Sequence, residues 1–328
     1  MFDAYWRFAC ERQEVYFLRL AGARAPWTSD PILRDFRFTN AYRAADRTSQ
    51  FLIGDVIYRG SQDHREQVFR ALLFRLFNLP STWRALEDRV GSIEIGSFDE
   101  RTYARALDEY AATGARLYSA AYVIPPVPRA GYARKHHQHL QLVRWMLEDR
   151  VDERVADAAS LEHVFRVLGG YPSLGRFLAF QLAIDLNYGP HLGFSEMDFV
   201  AAGPGASEGI RKCFEASGDW TDDDIIRWVA DHQEIEFVTR GLDFTTLWGR
   251  PLQLIDCQNL FCEIAKYSRV SHPEFTPPGG RHRLKRTFTP RVEVERPWFP
   301  PKWGINGRIA IEHAPRSVEQ LDSAFEQV

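Results

Sequence analysis

Residues 160–188, SLEHVFRVLGGYPSLGRFLAFQLAIDLNY, constrain the fold of this 328-residue chain more than any other stretch. Leu161, Val164, Phe165 and Leu168 recur at helical spacing behind Ser160, whose hydroxyl suits an N-cap. Gly169 and Gly170 then stop that helix, as glycine does past a C-terminus. Pro172 and Ser173 suit a turn, Gly175 allows close backbone approach, and 177–186 form an apolar run long enough for a buried helix. The pattern predicts helix, tight hairpin, helix. The hairpin would aim backbone N–H groups at one spot near a helix N-terminus, and such a spot binds phosphate oxygens without a positive side chain. A plain turn between two core helices is the alternative that the local pattern leaves open.

Helical periodicity dominates the rest of the chain. Tyr42, Ala45, Ser49, Leu52, Ile53, Val56 and Ile57 describe one face of a long helix, with Thr39 placed to cap it. Residues 67–78 predict another, and Leu79-Pro80-Ser81-Thr82 breaks and recaps the chain before Trp83. Two more helical patterns, 99–119 and 135–150, flank Pro125, Pro126 and Pro128, which must be extended or turning. Thr221 opens a further helix with Asp222, Asp223 and Asp224 at the positive end of its dipole. After about Glu274 the pattern gives way to proline, glycine and arginine, and 298–303 look like an ordered arm. The expected fold is mainly α: a helical region over 1–275 containing the hairpin at 168–176, and a basic, proline-rich arm and tail over 276–328.

At 45% hydrophobic and 26% charged, the chain has the composition of a globular protein with one large core or two smaller ones. A net charge of −3 is no nucleic-acid signature, but the basic charge is uneven, and local footprints are what matter. Arg281, Arg283, Lys285, Arg286 and Arg291 crowd one segment, and Arg129, Arg134 and Lys135 crowd another beside His136, His137 and His139. Either could track a phosphate backbone or be a solvated loop. Cys10, Cys213, Cys257 and Cys262 make no metal pattern and suit reduced, buried thiols. The histidine run has no carboxylate or cysteine at ligand spacing, so no metal is expected. No apolar run approaches membrane length and no leader is visible, so a cytoplasmic protein with no membrane partner is expected. The loop 203–209, GPGASEG, lacks the GK[ST] ending of a P-loop, so no cofactor and no bound nucleotide are expected.

Four blocks carry a family resemblance: FTNAYRAADRTSQ at 38–50, LFRLFN at 73–78 with Trp83, DFVAAGPGA at 198–206, and DCQNLFCEIAKY at 256–267. Together they resemble the alpha-glutamyl/putrescinyl-thymine pyrophosphorylase family, considered a branch of the helix-hairpin-helix DNA glycosylase superfamily, and its anti-phage members that excise bulky glucosylated bases. The resemblance implies a helix-hairpin-helix glycosylase-like helical fold with the hairpin on DNA, through Gly170, Tyr171, Ser173, Gly175 and Arg176, aided by Arg281, Arg283, Lys285 and Arg286. It also implies a catalytic role for Asp198, which lies 23 positions after Gly175. A carboxylate beneath C1′ can stabilise an oxocarbenium-like state and orient water. Phe177 stands where bifunctional superfamily members place a lysine, so a monofunctional enzyme that leaves an abasic site is expected.

The target nucleotide would have to leave the stack, with Tyr171 or Trp248 filling the gap. Asn40, Arg43, Arg47 and Gln50 fall three to four positions apart, as do Asp256, Asn259, Glu263 and Lys266. Each set is either a base or sugar pocket or a solvated helix face. The leading expectation is therefore a glycosylase that removes a modified pyrimidine, plausibly glucosylated 5-hydroxymethylcytosine, from phage DNA in anti-phage defence. Its partner would be DNA carrying modified bases. The alternatives are a base-hypermodifying pyrophosphorylase or transferase acting on activated 5-hydroxymethyluracil, and a non-catalytic module that binds modified DNA.

Overall fold

Alternating helix periods and helix stops give a helical chain, seen in a computed structural model that describes residues 1–120, 122, 124–214, 218–276, 284, 287–288 and 295–309. In chain order the helices are α1 (Phe2–Leu20), α2 (Pro31–Asp35), α3 (Arg47–Phe51), α4 (His64–Phe77), α5 (Pro80–Val90), α6 (Glu100–Ala112) and α7 (Lys135–Glu148). They continue as α8 (Val151–Ala156), α9 (Leu161–Gly169), α10 (Arg176–Asn187), α11 (Pro204–Cys213), α12 (Asp222–Thr239), α13 (Leu254–Ser271) and α14 (Asn306–Ile309). Among the described residues there is no strand, only the isolated bridges Phe36–Thr287 and Leu247–Arg250, so the expected mainly α class forms. The chain divides into two compact units, one built from 1–45 and 204–328 and the other from 46–203.

The first unit is organised on α13. Leu254, Ile255, Leu260, Phe261 and Ile264 are buried on it, against α1, α11 and α12. Each such side chain contributes about 1.5–3 kcal/mol relative to exposure. Tyr5 of α1 packs tilted at 4.5 Å from Phe261, and Trp6 meets Phe237 of α12 edge-on at 4.9 Å. The approach of α11 to α13 needs glycine: a Cβ on Gly209 would lie 2.0 Å from the Phe261 carbonyl oxygen, and one on Gly205 would lie 3.1 Å from Cys262 Sγ. The glycine-rich loop of the sequence is thus a helix-packing device in its second half. α12 starts as expected, with the Thr221 hydroxyl accepting from Asp224 N–H and the Asp224 carboxylate accepting from Thr221 N–H.

The second unit is built on α4 and α10, each buried on nearly every side; α10 reads as apolar in sequence, whereas α4 also buries Gln67, Arg70 and Arg75. α9 lies along α10, while α7 and α8 cover α4. Asn78 ends α4 in the left-handed region at φ 53°, and Pro80 starts α5 at its first turn, as the break in the sequence predicts.

The single long helix expected over 42–57 does not form. Residues 43–45 make a 3₁₀ turn, Asp46 is extended, and α3 runs into a π-helical turn over Leu52–Ile57. No helix starts directly after Thr39, whose hydroxyl accepts instead from Asn259 Nδ2 at 3.0 Å. Side chains compete with the helix here: Arg43 N–H donates to Asp256 at 2.7 Å, and Asn40 Nδ2 donates to the Ala45 carbonyl at 2.7 Å. No helix among the described residues is long and apolar enough to cross a membrane.

Candidate nucleic-acid interface

The hairpin forms as the sequence predicts. Ser160 Oγ accepts from His163 N–H at 3.1 Å and starts α9, Gly170 caps its end, and Gly175 is the N-cap of α10. The strained position is a different one: Gly170 is right-handed at φ −72°, and Ser173 takes the left-handed conformation at φ 65°. Ser173 is held there by its hydroxyl, which donates to the Pro126 carbonyl at 2.8 Å. No side chain caps α10, and a Cβ added to Gly175 would meet nothing within 4 Å. A helix start without a side-chain cap is the geometry that takes an anion. Arg176 is exposed beside them, its guanidinium 6.0 Å from the Phe165 ring.

Tyr171 is anchored. Its hydroxyl donates to Asp149 at 2.7 Å and accepts from Arg154 at 3.2 Å, and burial followed by the bond to Asp149 raises its pKa. Phe177, the residue at the expected lysine position, packs edge-on at 5.4 Å from Tyr122 and covers Gly203, where a Cβ would lie 2.5 Å from its ring. Trp248 belongs to the core of the other unit, 5.2 Å from Phe17 and 5.8 Å from Phe299.

Asp198 is exposed and sits beside the hairpin helices. Asn187 at the end of α10 clamps Phe194 by accepting from its N–H and donating to its carbonyl, at 3.2 and 2.9 Å. Asp198 N–H closes a turn onto the Ser195 carbonyl at 3.2 Å. The next residue, Phe199, packs 5.0 Å from Phe165 of α9 and 5.8 Å from Phe180 of α10. The next helix, α11, begins at Pro204.

The two polar stripes are only partly solvated: Arg47 is exposed, while Arg43, Asp256 and Glu263 are buried. Asp256 and Glu263 are 4% and 1% exposed, which rules that reading out for them. Asp256 accepts from Arg43 and Gln253 N–H, Asn259 donates to Thr39 Oγ1 and the Asn40 carbonyl, and Glu263 accepts from Thr39 N–H and pairs with Lys266. Asn40 in turn accepts from Arg12 at 2.6 Å. These residues pin the 39–45 loop to α13. Arg47 and Gln50 lie instead on α3, after the break at Asp46, so the four residues of the first stripe share no continuous helix face. Arg281, Arg283, Lys285 and Arg286 lie outside the described residues.

Sequence spacing missed two groupings. α6 brings Asp108 to the histidine run, where its carboxylate meets His136 at 2.6 Å, His137 at 3.1 Å and also Arg134. The sequence has no carboxylate at ligand spacing from these histidines, and the fold supplies one from 28 positions before His136. Burial raises the Asp108 pKa, but the hydrogen bonds from Arg134, His136 and His137 outweigh it and bring it to about 2. The second grouping is the ion pair of Arg75 with Asp185, buried where the sequence shows only an apolar run.

Residues 1–277 match the family described as 5-hmdU DNA kinase, helical domain. The chain is also 26% identical over 289 residues to the 5-hmdU DNA kinase of Bacillus phage SP10, covering 81% of this chain and 45% of that protein. The chain thus spans less than half the length of this relative. No solved structure matches it. These matches overturn the expected pyrophosphorylase and glycosylase family, and with it the monofunctional glycosylase of anti-phage defence. The hairpin and a following aspartate are too generic to separate base excision from other chemistry on DNA. The expected lack of a nucleotide is not supported either.

Proposed function

Since the chain belongs to the 5-hmdU DNA kinase helical-domain family, we propose that it grips DNA containing 5-hydroxymethyl-2′-deoxyuridine and presents that base for phosphoryl transfer. The observation that carries this reading is the family match over residues 1–277, a span that includes the hairpin, Asp198 and α13. It stands nearest to the hypermodifying-transferase alternative, with phosphorylation in place of pyrophosphate displacement.

In such a reaction the hydroxymethyl oxygen attacks the γ-phosphorus of a nucleoside triphosphate, the bond to the β-phosphate oxygen breaks, and the diphosphate leaves. The hydroxyl proton needs an acceptor, and the sugar–base bond stays intact. Asp198 is the residue we assign to that proton, because it is an exposed carboxylate held by the loop that packs on α9 and α10. Gly170, Ser173, Gly175 and Arg176 are assigned to the phosphates of the bound strand, with the N–H groups of α10 as donors. Tyr171 stiffens the turn through Asp149. The modified base must leave the stack to expose its hydroxyl, at a cost of a few kcal/mol. A DNA substrate fits the cytoplasmic location expected from the sequence.

The test compares duplexes with one 5-hydroxymethyluracil against thymine controls, in fluorescence anisotropy and in transfer from labelled ATP with magnesium. Tighter binding to the modified duplex is expected, with transfer lost and binding kept in Asp198→Asn. Equal affinity for the two duplexes would refute the reading.

A further inference from the structure

The first unit contains a cavity of about 320 Å³ with no role in the hairpin site. Its walls come from the second half of α1, the loop before α2, α2 itself and the 287–288 segment. That segment is fixed in place: Thr287 bridges to Phe36, and Phe288 N–H donates to the Asp35 carbonyl at 2.9 Å. Phe36 and Phe288 thereby face the cavity as aromatic walls, joined by Trp27 and Leu33. The loop carrying Trp27 is held by the Trp27 indole N–H, which donates to the Ala23 carbonyl at 2.7 Å, and by Thr28 on Glu11.

Three arginines line this aromatic cavity, of which Arg34 is paired with Asp35 at 2.8 Å. Arg12 is fixed by donating to the Thr39 carbonyl at 2.9 Å and to Asn40 Oδ1 at 2.6 Å. Arg19 differs. Its guanidinium lies 5.2 Å from the Trp27 ring and 5.5 Å from the Phe288 ring, and its Nε is buried with no hydrogen-bond acceptor. Burial lowers its pKa, and no described carboxylate compensates. A cation held by ring faces alone has its planar donors still available to an oxyanion. Aromatic walls accept a planar heterocycle by stacking, and about 300 Å³ is the lower size of a small-molecule site.

We propose that this cavity binds a nucleotide, its base against the aromatic walls and a phosphate at Arg19. This rests on the kinase reading for its source, which is either an unstacked nucleotide of the DNA or the free triphosphate donor. Both present the same chemistry: a planar base with a phosphate a few ångströms away.

The experiment uses the whole chain, with equilibrium dialysis of labelled ATP in one arm. The other arm titrates single-stranded oligonucleotides carrying 5-hydroxymethyluracil or thymine. In the arm whose ligand occupies the cavity, Arg19→Gln and Trp27→Ala each weaken binding roughly tenfold or more, the scale of a lost stacking or phosphate contact. Arg19→Lys recovers part of the loss, and the unfolding midpoint of the Arg19 variants stays that of the parent, which separates binding from folding should Trp27→Ala unfold. A response in the ATP arm marks the donor site and a response in the oligonucleotide arm marks a base pocket. If neither arm responds to the Arg19 variants, the proposal is overturned. Preference for 5-hydroxymethyluracil duplexes over thymine would then still stand or fall by itself, so failure of the cavity and failure of the kinase reading are told apart.

Discussion

Arg75 and Asp185 join α4 to α10 in a two-pronged ion pair whose side chains are 3% and 0% exposed. Arg75 also donates to Asn78 at 2.6 Å and lies 5.5 Å from the Tyr122 ring. Tyr122 in turn packs on Phe177, so the pair sits behind the first turn of the hairpin's second helix. Removing one partner strands a charge in the core, at about 3–5 kcal/mol, whereas replacing both by apolar residues of similar volume is nearly neutral. Asp185→Asn should therefore lower the urea midpoint sharply, and Arg75→Met with Asp185→Leu should recover most of it. Equal loss in the single and double variants would show that the pair is not the source of the stability.

The contact of α11 with α13 makes Gly209 the least replaceable glycine of the first unit. A Cβ there meets the Phe261 backbone, which cannot rotate away as a side chain could. Gly209→Ala should destabilise by at least the 1–3 kcal/mol typical of overpacking. Gly175→Ala, with nothing within 4 Å, should leave the melting temperature unchanged. Calorimetry on the two variants distinguishes a packing glycine from an exposed one.

His139 is fully buried, with Nε2 on the Pro125 carbonyl at 2.9 Å and Nδ1 on the Tyr118 hydroxyl at 3.0 Å. Burial lowers its pKa to about 4. The folded chain thus keeps this ring neutral while the unfolded chain protonates below about 6.5. Stability should fall as pH drops from about 6.5 to about 4 and level off below, by about 3 kcal/mol in total from this group. Asp108, lowered to about 2, acts in a separate window below 3.8. Denaturant titrations at stepped pH check this, and His139→Gln should flatten the upper window.

At the hairpin, a negative side chain at Gly175 would face the phosphate that the α10 N–H groups are assigned to hold. Gly175→Glu should weaken DNA binding without changing the fold, because the position is open and its φ of −68° suits any residue. Arg176→Ala should reduce the slope of log affinity against log salt by about one. Binding measured from low to moderate salt gives both, and an unchanged affinity in Gly175→Glu would remove the hairpin from the interface.

The sequence announced the hairpin because Ser160, the paired glycines and the apolar run over 177–186 are local signals, and local signals suffice for a helix and its ends. It misled over 39–57, where the apolar period of a helix is present but Asp256 and Glu263, more than two hundred positions away, capture the Arg43 and Thr39 N–H groups. The same distance hid Asp108 from its histidines and Arg75 from Asp185. The cavity at Arg19 was illegible for a similar reason, since Phe36 and Phe288 meet only through long-range backbone bonds. Chemistry was the least legible part: an exposed aspartate after a helical hairpin serves a sugar carbon or a hydroxyl equally well.

Under the proposed function, this chain serves phosphorylation of a modified base whose bond to the sugar survives. Mass spectrometry of nucleosides digested from 5-hydroxymethyluracil DNA, after incubation with the protein, ATP and magnesium, reads both points at once. The expected result is a nucleoside heavier by one phosphoryl group and no free base. Released 5-hydroxymethyluracil with matching abasic sites would contradict it.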